Sequence, residues 1–475
     1  NIYKAEGFPS DRMNSIFFAR QYAEDTKPQG AESTTRNIGV NAVFNYSYDD
    51  RLLFDATFRT NASSQFGANQ RWGNFWSLGA GWNMHNEKWL RSKEWFSRLK
   101  LRASVGSTGS QGNNAYQSLA TYNYSEKNYE NKLGAYLMGM ENKDLKWQKK
   151  MDYNVGMDMS VKNNFNLVFD YYQSTTENLL VAFTLPPSTG FTTVQENVGK
   201  VRNTGIELSM SYMVLSRPQD RTFLTLSLRA AHNKNRVVKI SDSMKAYNEK
   251  MDEMAESDSK LVTKYYDGVS MNAIWAVRSL GIDPATGREI YLTKDGVSTY
   301  EYRAEDMVVC GDNLPKLRGS FGINLGYKGF GLNVMCMYEL GAKMYNETLV
   351  DRVENVNMSY AVDKRVLEGR WQKPGDKVRF RSLKQVWDPE KQAYKVDEKT
   401  YATSRFVQKK NELNISSINF SYDFFRHAFV KKMGMERLSV AFYMNDVAKL
   451  STIKTERGLS YPFARNYNFS LQMTF

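Results

Sequence analysis

Cysteine, proline and histidine are scarce. The 475 residues hold two cysteines (Cys310 and Cys336), ten prolines and three histidines (His85, His232 and His427). Two cysteines are too few for a disulfide framework, and Cys336 inside an alternating run reads as a small apolar side chain. Three scattered histidines make no catalytic set. G-x-S-x-G, H-E-x-x-H, C-x-x-C and a phosphate loop with its lysine are all missing, so no metal site or cofactor is expected. GSTGSQG (106–112) is glycine-rich but follows a strand pattern and lacks the helix of a phosphate cradle, so it reads as a rim turn. DPATGRE (283–289) has only a superficial likeness to a calcium loop and reads as a tight Asp-Pro/Gly turn. No stretch approaches the ~18 apolar residues of a membrane helix. Strands that hide apolar residues at every second position escape that test. Charge is not gathered either. The 64 basic and 51 acidic residues are mixed along the chain, which argues against nucleic acid as a partner. The opening NIYKAEGFPSDRMNS has no signal-peptide pattern and reads as the middle of something longer.

What the chain does have is aromatics, with 29 Tyr, 26 Phe and 9 Trp, in a pattern of period two. Ile38, Val40, Ala42, Phe44 and Tyr46 alternate with polar residues. So do Leu52–Phe54–Ala56–Phe58, Leu99–Leu101–Ala103–Val105, Ile206–Leu208–Met210–Tyr212 and Leu224–Leu226–Leu228–Ala230. Later runs include Phe321–Ile323–Leu325–Tyr327 and Leu438–Val440–Phe442–Met444. About 13 such runs of about 9 to 11 residues are legible, the length of a tilted strand crossing a bilayer. One run changes phase between Ile415 and Ile418, which predicts a bulge near Ser416 and Ser417.

The connections alternate in length. Short ones fall at 47–51, 162–164, 216–221 and 328–329, with medium ones at 85–97 and 425–436. Long ones fall at about 61–73, 107–151, 174–203, 233–317, 341–410 and 446–464. Tight turns at one end and long loops at the other mark an all-β, antiparallel transmembrane β-barrel, with the long loops extracellular and the turns periplasmic. Loops above about 15 residues are uncommon in compact soluble domains. Trp72 and Trp76 fall at the expected outer interface, and Trp82, Trp89 and Trp95 at the inner one. Trp147, Trp275, Trp371 and Trp387 fall in long loops, where packing is the plain expectation. The closing strand alternates perfectly, with Tyr467, Phe469, Leu471, Met473 and Phe475 on one face. It fits the terminal signal read by barrel-assembly machinery.

Several stretches resemble the SusC/RagA-type TonB-dependent outer-membrane transporters. They are LLFDATFRTNASSQFGANQRWGNFWSLGAGWNM (52–84), LKLRASVGSTGSQG (99–112), ENVGKVRNTGIELSMSY (196–212), SLGIDPATGREIYLTKDG (279–296), GDNLPKLRGSFGINLGYKGF (311–330), GRWQKPGD (369–376) and YPFARNYNFSLQMTF (461–475). The resemblance implies a plugged barrel of roughly 22 strands, of which this chain supplies about 13. Residues 1–475 are then the C-terminal part of one barrel domain, with 1–35 as extracellular loop and 36–475 as strands and loops. The plug, the TonB box and about nine earlier strands are expected on a plug-bearing N-terminal part of the same transporter. The resemblance further implies a Gram-negative outer membrane and its lipid as setting, the TonB complex as energy source and a SusD-like lipoprotein as lid. Substrates would be oligosaccharides or peptides. A passive porin or structural barrel is the alternative, and a surface-acting outer-membrane enzyme would need a clustered catalytic set that the scattered histidines do not supply.

Substrate contacts are expected among outer-loop aromatics: Tyr122, Tyr124, Tyr129 and Tyr136 in one loop, Trp371 and Trp387 in another. Inward-pointing Asp55, Arg59, Arg102, Asp158, Asp170, Glu207 and Arg229 are expected to line the lumen or hold the plug. SDSMKAYNEKMDEMAESDSK (241–260) is helix-permissive and reads as a solvated loop helix or a surface for the lid.

Overall fold

The computed structural model describes residues 5–8, 19, 21–22, 33–91, 95–110, 115–124, 134–184, 193–258, 261–356, 363–383, 385–388, 393–396, 400–424, 427–454 and 465–475. Within them the alternating runs form one antiparallel sheet of 13 strands. In chain order these are β1 (Asn37–Tyr48), β2 (Leu52–Ser63), β3 (Trp72–Asn83), β4 (Phe96–Ser110), β5 (Gln148–Val161), β6 (Phe165–Thr184) and β7 (Thr193–Arg217). They continue with β8 (Thr222–Lys239), β9 (Leu317–Tyr327), β10 (Phe330–Tyr345), β11 (Val407–Asp423), β12 (Arg437–Ser451) and β13 (Tyr467–Thr474). Order in the sheet equals order in the chain, so β1 and β13 are its two free edges. The sheet is not closed by the described residues.

The turns explain why successive strands pair as neighbours. Asp49 and Asp50 have φ of 50° and 49°, Lys162 and Asn163 of 48° and 58°, and Lys328 and Gly329 of 47° and 102°. Two left-handed residues in succession match the twist of adjacent strands and set a tight hairpin. The expected bulge is present. Register on β11 slips between Ile415 and Ser417 against β12, and opposite Met335 and Cys336 against β10.

Strand length departs from expectation. β6 has 20 residues and β7 has 25. At ~3.4 Å per residue β7 approaches ~85 Å, far beyond an apolar band of ~25 Å. The segment 174–203 is therefore mostly ladder, paired from Ser174 with Asn203 to Thr184 with Thr193. Apolar alternation fades after Tyr172 because both faces no longer need different solvents. The backbone hydrogen bonds continue without it.

One face of the sheet stays uncovered and apolar. Val155 is 58% exposed, Phe420 45% and Leu226 40%. In a sandwich this stripe would be buried against a second layer. Here the main hydrophobic core lies elsewhere, between two long connections. Residues 273–282, 289–292, 298–299 and 307–312 make a four-stranded sheet. Helix α1 (Asp242–Asp258) packs on it through Met251 and Ala255. Segments from 345–353 and 380–407 complete the core with Tyr345, Leu349, Val353, Phe380, Ala402 and Phe406. So α1 is a helix, as its composition allows, but one face is docked rather than solvated. Trp275 is buried in the same core. Of the first 35 residues the structure describes a two-residue ladder, Ala5–Glu6 with Gln21–Tyr22. Thr34 N donates to Tyr116 OH at 2.8 Å, at the long-loop end.

Candidate functional site

Two features could serve a function: the polar face of the sheet and the surface of the outer loops. Register places Arg102, Gly156, Asp170, Glu207, Ala231, Arg318, Glu339 and Glu412 as successive partners across β4 to β11. One band of paired positions thus carries six charged residues. Arg102 Nη2 donates to Asp170 Oδ2 at 2.7 Å and its Nε to Asp158 Oδ1 at 3.1 Å. Gly156 makes room for that contact, since a Cβ there would stand 2.7 Å from both Arg102 Cζ and Asp170 Oδ1. Further round, Lys410 bridges Glu339 at 3.1 Å and Glu412 at 3.3 Å, and Lys449 reaches Glu412 at 2.8 Å.

Between these groups lies a recess of about 520 Å³ lined by Asp170, Glu207, Arg229, Arg318, Tyr338 and Glu339. Three carboxylates and two guanidinium groups there suit a polar chain segment with both hydrogen-bond donors and acceptors. Asp170, Glu207 and Arg229 were legible as inward positions. The same alternation marks Arg318, Glu339, Lys410 and Glu412 as polar-face, and strand register is what gathers them here.

Trp147 and Trp371 pack within the outer loops, the plain expectation for tryptophans there. Trp147 stacks on Phe66 at 4.3 Å, meets Phe75 edge-on at 5.4 Å and donates to Arg71 O at 3.0 Å. Trp371 donates its indole N–H to Pro284 O at 2.9 Å. Its ring lies against Gly287, whose φ is 75°. The segments DPATGRE and GRWQKPGD are therefore two halves of one clamp, joined also by Gly375 N to Pro284 O at 2.8 Å. Asp283 closes the turn by accepting from the Thr286 hydroxyl at 2.6 Å, Tyr300 OH at 2.9 Å and Ala285 N at 3.0 Å. Those bonds, the Thr286 hydroxyl first, hold its carboxyl below the usual range.

Among the tyrosines, Tyr122 and Tyr136 sit on a short hairpin, Thr121–Tyr124 with Ala135–Gly139. Tyr122 is 62% exposed and Tyr136 55%. Tyr122 pairs with Leu137, while Tyr136 pairs with Asn123, so the two belong to opposite faces of the hairpin. They cannot form one platform. Tyr129 lies outside the described residues, as do the side chains of Tyr124 and Trp387. Tyr467, Phe469, Leu471 and Met473 are exposed along edge strand β13, and Phe475 follows it.

The barrel model described as TonB dependent receptor-like, beta-barrel, matches residues 7–363. The TonB-dependent receptor P39 of Formosa agariphila is 24% identical over 93% of this chain and 45% of its own length. SusC of Bacteroides thetaiotaomicron is 29% identical over 52% of this chain and 26% of its own. The chain thus spans less than half the length of these curated relatives. The RagAB peptide importer in its closed-closed state superposes with a TM-score of 0.77 at 20% identity, over 99% of this chain and 51% of that one. That likeness shows the fold alone. With three quarters of its length matched by one family, this chain belongs to the TonB-dependent receptor-like β-barrels.

Proposed function

We propose that this chain is the C-terminal barrel portion of a SusC-like, TonB-dependent importer in a Gram-negative outer membrane. The observation that carries the reading is the uncovered apolar face of a 13-stranded sheet whose opposite face carries ion pairs. Such a sheet needs lipid on one side and a polar lumen on the other. Its two free edges would be costly in lipid, so they pair with strands from the plug-bearing N-terminal part. The band of charges from Arg102 to Glu412 anchors that plug, and the TonB complex pulls on it. The cargo is an oligosaccharide or peptide, and a SusD-like lipoprotein covers the long loops. RagAB is a peptide importer, which keeps peptides beside sugars as cargo. The loops carry recognition and no covalent chemistry.

The test is uptake of labelled oligosaccharides and peptides by cells with and without the gene, before and after a protonophore. Uptake that needs both gene and proton-motive force is the expected result. Gene-dependent uptake that survives the protonophore would make the protein a passive porin. Among the described contact residues, Tyr122 is the most exposed. Tyr122→Ala should weaken cargo binding about tenfold with normal assembly, measured by calorimetry on the purified transporter. Unchanged affinity removes Tyr122 from the site.

A further inference from the structure

The short-turn end carries cations that nothing described in the chain neutralises. Lys162 holds its ammonium 5.2 Å from the ring centre of Trp95, which is 66% exposed. Lys328 lies 5.5 Å from that of Tyr327, which is 52% exposed. Lys88 and Arg91 flank exposed Trp89 on one helical turn. Lys431 and Lys432 end another beside exposed Phe429 and Met433. No described carboxylate pairs with any of these six. Other rim cations are engaged: Arg51 with Asp49 at 3.0 Å, and Arg437 with Asp423 at 2.9 Å. Among the described residues Asp50, Glu87, Asp220 and Glu436 stand against the six, so the described rim is net basic.

Two of these lysines sit where the backbone disfavours them. Lys162 and Lys328 have φ of 48° and 47°. Asn or Gly would meet the same turn at lower cost. A cation kept there, above an exposed aromatic ring, has the chemistry of a headgroup contact: ring at the interface, ammonium toward phosphate.

We propose that this rim binds the phosphodiester headgroups of anionic phospholipid in the leaflet at the short-turn end. The inference rests on the membrane reading above and adds a lipid preference to it. A lysine near an anionic surface favours binding about fivefold.

The experiment takes the whole transporter, extracted from its membrane, delipidated and offered equal phosphatidylglycerol and phosphatidylcholine. Native mass spectrometry counts the bound lipids. Wild type should retain phosphatidylglycerol preferentially, and excess inorganic phosphate should not displace it. Lys162→Asn with Lys328→Asn removes two charges while suiting both turns, and should cut the preference by at least fivefold. Lys162→Arg with Lys328→Arg should keep it. Equal retention of the two lipids by wild type, an unchanged preference in the Asn variant, or displacement by free phosphate would each overturn the proposal. Those results leave the importer reading standing. A protein that binds neither lipid and fractionates away from membranes would sink both.

Discussion

Replacing Arg405 with Ala should destabilise the outer-loop domain by about 3–5 kcal/mol, the usual cost of stripping one partner from a buried ion pair. Arg405 Nη2 donates to Glu289 Oε2 at 2.8 Å and to Glu354 Oε1 at 2.7 Å, while its Nη1 donates to Arg379 O at 2.9 Å. Its guanidinium also lies 4.3 Å from the ring centre of buried Phe406. Burial by itself would lower its pKa, but the two carboxylates more than reverse this and hold it above its ordinary value. Both acids are buried as well, and Glu289 is shared with the Thr403 hydroxyl at 2.7 Å. Without Arg405, Glu289 is left to the Thr403 hydroxyl and Glu354 to Arg381, 3.6 Å away, in a dry interior. The segments affected are far apart in the chain, so the loops should separate while the sheet stays. Limited proteolysis should then cut within 240–316 and 346–406 first. The double variant Arg405→Leu with Glu354→Leu should lose less than the sum of its singles. A single variant as protease-resistant as wild type would mean that the network contributes nothing to holding the loops.

Trp147→Ala should remove about 3–5 kcal/mol from a second, smaller core at the long-loop end. Trp147 is only 6% exposed and fills the space between Phe66 and Phe75. Around it the 64–71 connection is stitched to the segment before β5. Gly67 N donates to Leu145 O at 2.9 Å, Asn69 N to Lys143 O at 3.2 Å and Ser118 Oγ to Phe66 O at 3.1 Å. Loss of the indole leaves a cavity that neighbouring strands cannot collapse into, because their ladders fix them. Hydrogen exchange should accelerate at Gly67 and Asn69 and spare the middle of β2 and β3. Trp147→Phe keeps most of the area and loses the bond to Arg71 O, so about 1 kcal/mol is expected. Equal losses for Ala and Phe would show that the hydrogen bond, and not packing, carries the effect.

Much of the sheet was legible. Period-two alternation marked the strands, the short connections at 47–51, 162–164 and 328–329 marked the hairpins, and one phase change marked the bulge near Ser416 and Ser417. These are local signals, because neighbouring strands here are also neighbours in sequence. The extension of β6 and β7 was not legible, since a ladder in water needs no alternating side chains. Nor were the opposite faces of Tyr122 and Tyr136, which depend on the register of a hairpin and not on its composition.

Composition and alternation were enough to dictate a long antiparallel sheet with one apolar and one polar face, because side chains on a strand must alternate. Only the tertiary structure decided how residues 240–316 and 346–406 would share a core. Thr403 reaches Glu289 across 114 positions, and Arg405 reaches Glu354 across 51. No periodic signal records a contact of that kind, since its energy exists only once two distant loops exclude water together.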